Sequence, residues 1–326
     1  MIGELGHHES MEQLRIVTLM ASATELVCAL GLRDSLVGRS HECDFPESVS
    51  GLPVCTRPRF DTTGNSAEID RQVKSLRQQS LLQDALGLYE VFPEKLRELQ
   101  PNHIVTQTQC EVCAVSLKDV ERALAQQVGC EPHIVSLNPN TMADFWGDLC
   151  RLASELGITD FGIHLIAELQ ERMNLVEARA RACDSRPTVV NIEWADPLMA
   201  VGNWMPELIA AAGGRDLLGA PGAHSPWIKF EDIAAADPEV IILSPCGFDI
   251  ARTRRDLPIL EATPGWSRLR AVKNNNVYLV DGNQYFHRPG PRLVESLEIL
   301  AEILHPEAFR FGHQAKGWVR APAPKF

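Results

Sequence analysis

The chain has 326 residues and a mass of 36.1 kDa, long for a single core and comfortable for two. Its formal net charge of -12 argues against a nucleic-acid groove, which needs clustered Lys and Arg. No segment approaches the roughly 18 uninterrupted apolar residues of a membrane-spanning helix, so membrane insertion is not expected.

Residues 1–10 carry neither the basic start nor the apolar stretch of a secretory leader. Nine cysteines is an odd number, and their spacing shows no compact disulfide framework. Both facts fit a reducing cytoplasm best, and the chain would be periplasmic only if a leader had been removed from it. Residues 15–20 then predict a short buried strand, and residues 21–30 a helix that ends at Gly31, capped by Ser22 or Thr24. A second strand over 35–38 completes the βα grammar of a parallel sheet, whose ligands gather at the carboxyl ends of the strands.

A weak internal repeat relates residues 94–107 to residues 231–244. In each copy a Glu opens a short helix, a Pro seven positions later stops it, and a buried strand follows. Two such copies predict two similar α/β lobes. Between them, residues 161–183 place Leu165, Leu169, Met173 and Val176 at helical spacing. One helix of about 22 residues would span roughly 33 Å, enough to bridge two lobes and too stiff to be a hinge. Residues 188–193 open the second lobe as a buried strand, the basic run 252–255 reads as a solvated loop or helix start, and a last helix runs over 292–304.

At this point the chain resembles a family, the helical-backbone (class III) substrate-binding proteins that serve cobalamin and ferric-siderophore ABC importers. The resemblance spans roughly residues 14 to 305. It rests on the segments 22–26, 37–46 and 206–214, on Pro226-Trp227 and on the turn 288–292. The cobalamin-binding branch is the closer likeness, through residues 66–70 and 106–115. The resemblance implies an α/β fold of two Rossmann-like lobes joined by one long helix, with the ligand cleft between the lobes. The boundaries are 11–158 for the first lobe, 159–186 for the bridging helix and 187–326 for the second lobe. It also implies that Glu94 and Glu231, one on each lobe, dock onto arginines of an ABC permease. Each also reads as an acid favoured in a helix's first turn.

A corrinoid ligand is a broad apolar disc edged with amides, so its pocket wants aromatic walls and a few hydrogen-bonding groups. Phe45, Trp194, Trp204, Trp227, Phe248, Tyr285 and Phe286 stand beside turn residues at expected strand ends. Ser22, Thr24, Gln109, Glu193 and Arg288 supply polar groups on the same loops. His41, Glu42, Cys43 and Asp44 form one polar loop; His41 suits either a hydrogen bond or a metal, and His224 and His287 are its rivals for an axial position. Cys110 and Cys113 form a single Cys-x-x-Cys, read first as cleft-lining thiols, then as metal ligands and last as a redox pair, while Cys246 should reach the cleft after a buried strand. The motifs of acyl, phosphoryl or zinc-dependent hydrolysis are missing.

The expectation is therefore a non-catalytic binding protein for cobalamin, a related corrinoid or another tetrapyrrole-like metal chelate. Its role would be trafficking, storage, sensing or reception for an ABC importer, without a catalytic cofactor. The alternative is a metal-binding protein or metalloenzyme built on Cys110, Cys113 and His41.

Overall fold

The computed structural model describes residues 13–83, 88–107 and 131–323, with residues 120, 121 and 124. The first lobe contains β1 (Ile16–Thr18), α1 (Ala21–Ala29), β2 (Leu36–Arg39), β3 (Thr56–Pro58), α2 (Ser66–Gln83), β4 (Tyr89–Val91), α3 (Pro93–Leu99), β5 (His103–Gln107), β6 (His133–Leu137) and α4 (Met142–Glu155). Its main sheet runs β2-β1-β5-β6, all parallel, while β3 and β4 pair separately and antiparallel. All three residues of β1 are buried, as expected of a parallel strand covered on both faces.

Helix α5 (Thr159–Arg181) leads to the second lobe. That lobe holds β7 (Thr188–Ala195), β8 (Leu198–Ala200), α6 (Met205–Ala211), β9 (Arg215–Asp216), α7 (Phe230–Ala236), β10 (Val240–Leu243), α8 (Ile250–Glu261), α9 (Arg270–Lys273), β11 (Val277–Val280), α10 (Leu293–Leu304) and β12 (Trp318–Arg320). The sheet order is β12-β11-β10-β7-β8, with β9 also on β7; β7, β9, β10 and β11 are parallel, and β8 and β12 antiparallel.

The internal repeat has a physical counterpart. Helices α3 and α7 both have seven residues, and both end in a left-handed residue, Gln100 (φ 44°) and Asp237 (φ 38°). Each of these donates its N–H back to the last turn, to Leu96 O at 2.9 Å and Ile233 O at 3.0 Å. The prolines follow, and His103 and Val240, which open β5 and β10, hold equivalent places in the two copies. Helix α1 departs from expectation. It begins at Ala21 with no side-chain cap, so Ser22 and Thr24 lie inside it. Thr24 Oγ1 instead meets Thr18 Oγ1 at 2.6 Å and Cys43 Sγ at 2.8 Å.

Helix α5, at 23 residues, spans about 34 Å. It turns Leu169, Val176 and Ala180 into a core shared with Ile16 and Leu26 of the first lobe and Leu208 and Leu297 of the second. Gly162 lets α5 approach α4, because a Cβ there would stand 2.3 Å from the Ala153 Cβ. Each large aliphatic side chain buried in this shared core is worth about 1.5–3 kcal/mol, so the lobes are packed together rather than merely tethered.

The C-terminal segment is strapped to α10 by carboxylates. Trp318 Nε1 donates to Glu302 Oε2 at 2.7 Å, His313 Nε2 meets Glu298 Oε2 at 2.7 Å, and Arg172 of α5 reaches Glu298 at 3.0 Å. The hydrogen bond His313 donates to Glu298 raises its imidazole above its ordinary 6.5, against the effect of burial. Burial raises Glu298, but His313 and Arg172 outweigh it and hold the carboxyl below its ordinary 4.5. The His313 contribution is complete below 6.5 and is lost as pH rises through the elevated value. The Glu298 contribution is complete above 4.5 and is lost as pH falls through the depressed one. The strap therefore stabilises most between pH 4.5 and 6.5. Urea midpoints measured from pH 4 to 9 should show His313→Gln losing most stability inside that window and converging on the parent above it.

Candidate ligand-binding cleft

The carboxyl ends of both parallel sheets open onto one cavity of about 350 Å³. This is where open α/β sheets collect ligands, and its size is at the lower end of the usual ligand-pocket range. The first lobe contributes Met20, Ala21 and Ser22 after β1, Glu42 after β2, and Gln107 at the end of β5. One face of α2 adds Ile69 and Val73 beside Asp70, Lys74 and Arg77. From the second lobe come Glu193 and Trp194 of β7, Cys246 and Phe248 after β10, and Gly282 and Asn283 after β11.

The aromatic walls are held in place. Trp194 Nε1 donates to Ser66 O at 3.2 Å, and its ring meets Phe248 edge-on with centroids 5.3 Å apart. The Arg252 guanidinium lies over the Phe248 ring at 3.9 Å. Trp204 is buried, and its Nε1 is satisfied by donating to Phe286 O at 3.1 Å. Trp227 stays 61% exposed at the rim.

The loop carrying His224 and Trp227 is pinned at several points. Asn203 N donates to Ala223 O at 2.6 Å, Ser225 Oγ to Glu193 Oε2 at 2.6 Å, and Ala200 N to Pro226 O at 3.0 Å. Gly202 permits this approach, since a Cβ there would stand 2.4 Å from Ala223 O and 2.6 Å from Ser225 N. Gly202→Ala should cost about 1–3 kcal/mol by overpacking and should weaken ligand binding as the loop shifts. Denaturation curves and a ligand titration of the same variant would check both effects.

Two sets of polar contacts close the lobes on each other. At one, the Arg288 guanidinium donates to Asp44 Oδ1 at 2.6 Å and Glu25 Oε1 at 3.1 Å, while Arg292 Nε donates to Glu25 Oε2 at 2.8 Å. Burial raises the Asp44 carboxyl, and the hydrogen bond and charge of Arg288 outweigh it, holding Asp44 below its ordinary range. At the other, Ser66 N donates to the buried Asp256 carboxylate at 3.3 and 3.4 Å, and Asp196 N to Ser66 Oγ at 3.2 Å. Arg252 Nη2 reaches across to Thr62 O and, at 3.2 Å, to Gly64 O.

Of the residues anticipated from sequence, the cavity wall brings together Ser22, Glu42, Glu193, Trp194, Trp204, His224, Trp227, Cys246, Phe248 and Arg288. Others stand elsewhere. Thr24, Cys43 and Phe286 are packed in the interior, and burial pushes the Cys43 thiol up. Phe45 lies beneath the Arg292 guanidinium at 4.0 Å, and Tyr285 lies 5.4 Å from it. Asp44 is spent on Arg288 and Asn283. His41 is not on the cavity wall; its Nδ1 meets Thr56 Oγ1 at 2.8 Å, and burial with nearby Arg39 pushes its imidazole down to about 4. Gln109, Cys110 and Cys113 lie outside the described residues. A metal site on Cys110, Cys113 and His41 thus gains no observation. Lys74, Arg77, Asn203 and Arg252 were missed; the apolar pair Ile69 and Val73, one turn apart in α2, was the available signal.

The family model described as periplasmic binding protein matches residues 16–283. The chain belongs to that family. It is a binding protein, not an enzyme. An uncharacterized ABC transporter substrate-binding lipoprotein of Bacillus subtilis, YvrC, is 21% identical over 308 residues, covering 92% of this chain and 82% of that protein. A vitamin B12-binding protein of Vibrio vulnificus is 23% identical over 290 residues, 88% of this chain and 89% of the relative. The periplasmic heme-binding protein RhuT of Roseiflexus superimposes with a TM-score of 0.66 at 20% identity, covering 91% of this chain and all of that one. The expectation of a cytoplasmic home finds no support in this family, and the periplasmic alternative fits it. No helix among the described residues is long and apolar enough to cross a membrane.

Proposed function

We propose that the protein carries a corrinoid, or a closely related metal chelate, in the interlobe cleft and presents it to an ABC permease. The observation that carries this reading is the composition of the cavity wall. Trp194 and Trp227 supply the more open apolar rings alongside the buried Trp204 and Phe248, and the Asn203 amide, whose Oδ1 has no hydrogen-bond partner among the described residues, suits an amide-edged disc. The vitamin B12-binding relative supports the same ligand class. A ligand larger than about 350 Å³ keeps part of its surface in solvent.

Glu94 and Glu231 stand exposed in the first turns of α3 and α7, the two helices of the internal repeat. In this reading they are the two acidic docking points for the permease, and the protein works on the outer side of the membrane. Arg288 has a double role, holding the lobes together and presenting its edge to the ligand.

Calorimetric and absorbance titrations with cyanocobalamin and hydroxocobalamin test the reading. Saturable one-to-one binding at micromolar concentration or tighter, with no turnover, is the expected result. Absence of binding to both would sink the corrinoid assignment.

A further inference from the structure

Three histidines compete for the metal of a bound chelate, and their hydrogen bonds separate them. His224 lies on the cavity wall, with Nδ1 3.0 Å from Ser225 O. A carbonyl oxygen can only accept, so Nδ1 carries the proton and Nε2 of the neutral ring keeps its lone pair. Holding one ring N–H on a backbone carbonyl is how proteins orient a metal-binding imidazole. His287 also gives Nε2–H to a carbonyl, Ser244 O at 2.5 Å. His287 also lines the cavity, but its Nδ1 faces Glu193 Oε2 at 3.9 Å and its side chain is only 8% exposed, so both ring nitrogens are turned to protein partners. His41 is off the cavity wall.

The surroundings of His224 also define what it would bind. A bare metal ion needs three or four protein donors. Among the described residues, no group of three or more His, Cys, Asp or Glu side chains is arranged to hold one. A single imidazole on a pinned loop can therefore only complete a coordination sphere that the ligand largely supplies itself.

Resting on the corrinoid reading above, we propose that His224 Nε2 coordinates the metal of the bound ligand, selecting cobalt or iron chelates with an exchangeable axial water. The Nε2 lone pair forms the new bond, the metal–water bond breaks, and the water leaves to solvent. The metal keeps its oxidation state and no proton moves.

The test compares aquocobalamin, whose axial water exchanges, with cyanocobalamin, whose cyanide is held. The parent protein should change the visible spectrum of aquocobalamin and leave that of cyanocobalamin unaltered. His224→Ala should lose the spectral change and bind aquocobalamin at least about tenfold more weakly. Cyanocobalamin binding should survive in this variant, which also reports that the cleft is intact, and His287→Ala should keep the spectral change. If His224→Ala retains the change, or if the parent binds both cobalamins without it, the coordination proposal is overturned while the corrinoid reading stands. If the parent binds neither, both fall together.

Discussion

Replacing Glu25 with alanine lowers the stability of the folded chain by about 3–5 kcal/mol, the usual cost of removing one partner from a buried ion pair. Glu25 belongs to α1 of the first lobe, and its side chain is 2% exposed. It accepts hydrogen bonds from Arg288 and Arg292 of the second lobe. Arg288 retains Asp44 and Asn283 when Glu25 is lost. Among the described residues, Arg292 retains only Gln284 Oε1 at 3.1 Å and the rings of Phe45 and Tyr285. The loss therefore falls chiefly on Arg292, whose charge is left nearly uncompensated at the seam between the lobes. Guanidinium denaturation of Glu25→Ala, Arg292→Met and the double variant would measure this. The double variant should recover part of the loss, because an apolar side chain costs less there than an unpaired charge. Strict additivity would mean that the two residues do not act as a pair.

Trp227→Ala weakens cobalamin binding by about 30-fold, the roughly 2 kcal/mol expected of a tryptophan that becomes buried only in the complex. The same substitution leaves the stability of the free protein almost unchanged. With 61% of Trp227 exposed, little packing is lost. Its backbone is held independently, by Ala200 N on Pro226 O and Ile228 N on Leu198 O, both at 3.0 Å. The pair of measurements separates a ligand contact from a structural one. Equal losses in stability and affinity would show that Trp227 supports the fold, and no loss in affinity would remove it from the ligand's surface.

Much of the architecture was legible from residue order, because strands buried on both faces are written as short apolar runs and helix ends as capping and breaking residues. Pro101 and Pro238 bound α3 and α7 in this way, and Leu169 and Val176 mark the buried face of α5. The cavity was legible in outline, since residues just after the parallel strands line it. Errors arose where a residue near a strand end faced inward. Cys43 sits between a polar loop and α1 and is claimed by Thr24, and Phe286 is buried beneath Trp204. Periodicity encodes whether a side chain is buried, but not whether it is buried against protein or against ligand.

The sequence by itself determined two α/β lobes, the long helix between them and a polar and aromatic set of loops at the strand ends. Only the tertiary structure decided which of those loops meet. Glu25 finds Arg292 across 267 positions and Ser66 finds Asp256 across 190, pairings that no local pattern encodes. The same holds for the histidines. His41, His224 and His287 are chemically equivalent along the chain, and they differ only once folding gives each a hydrogen-bond partner and a distance from the cavity. Local chemistry sets burial and turn geometry residue by residue, whereas a binding site is a product of the relative orientation of elements that are remote in sequence.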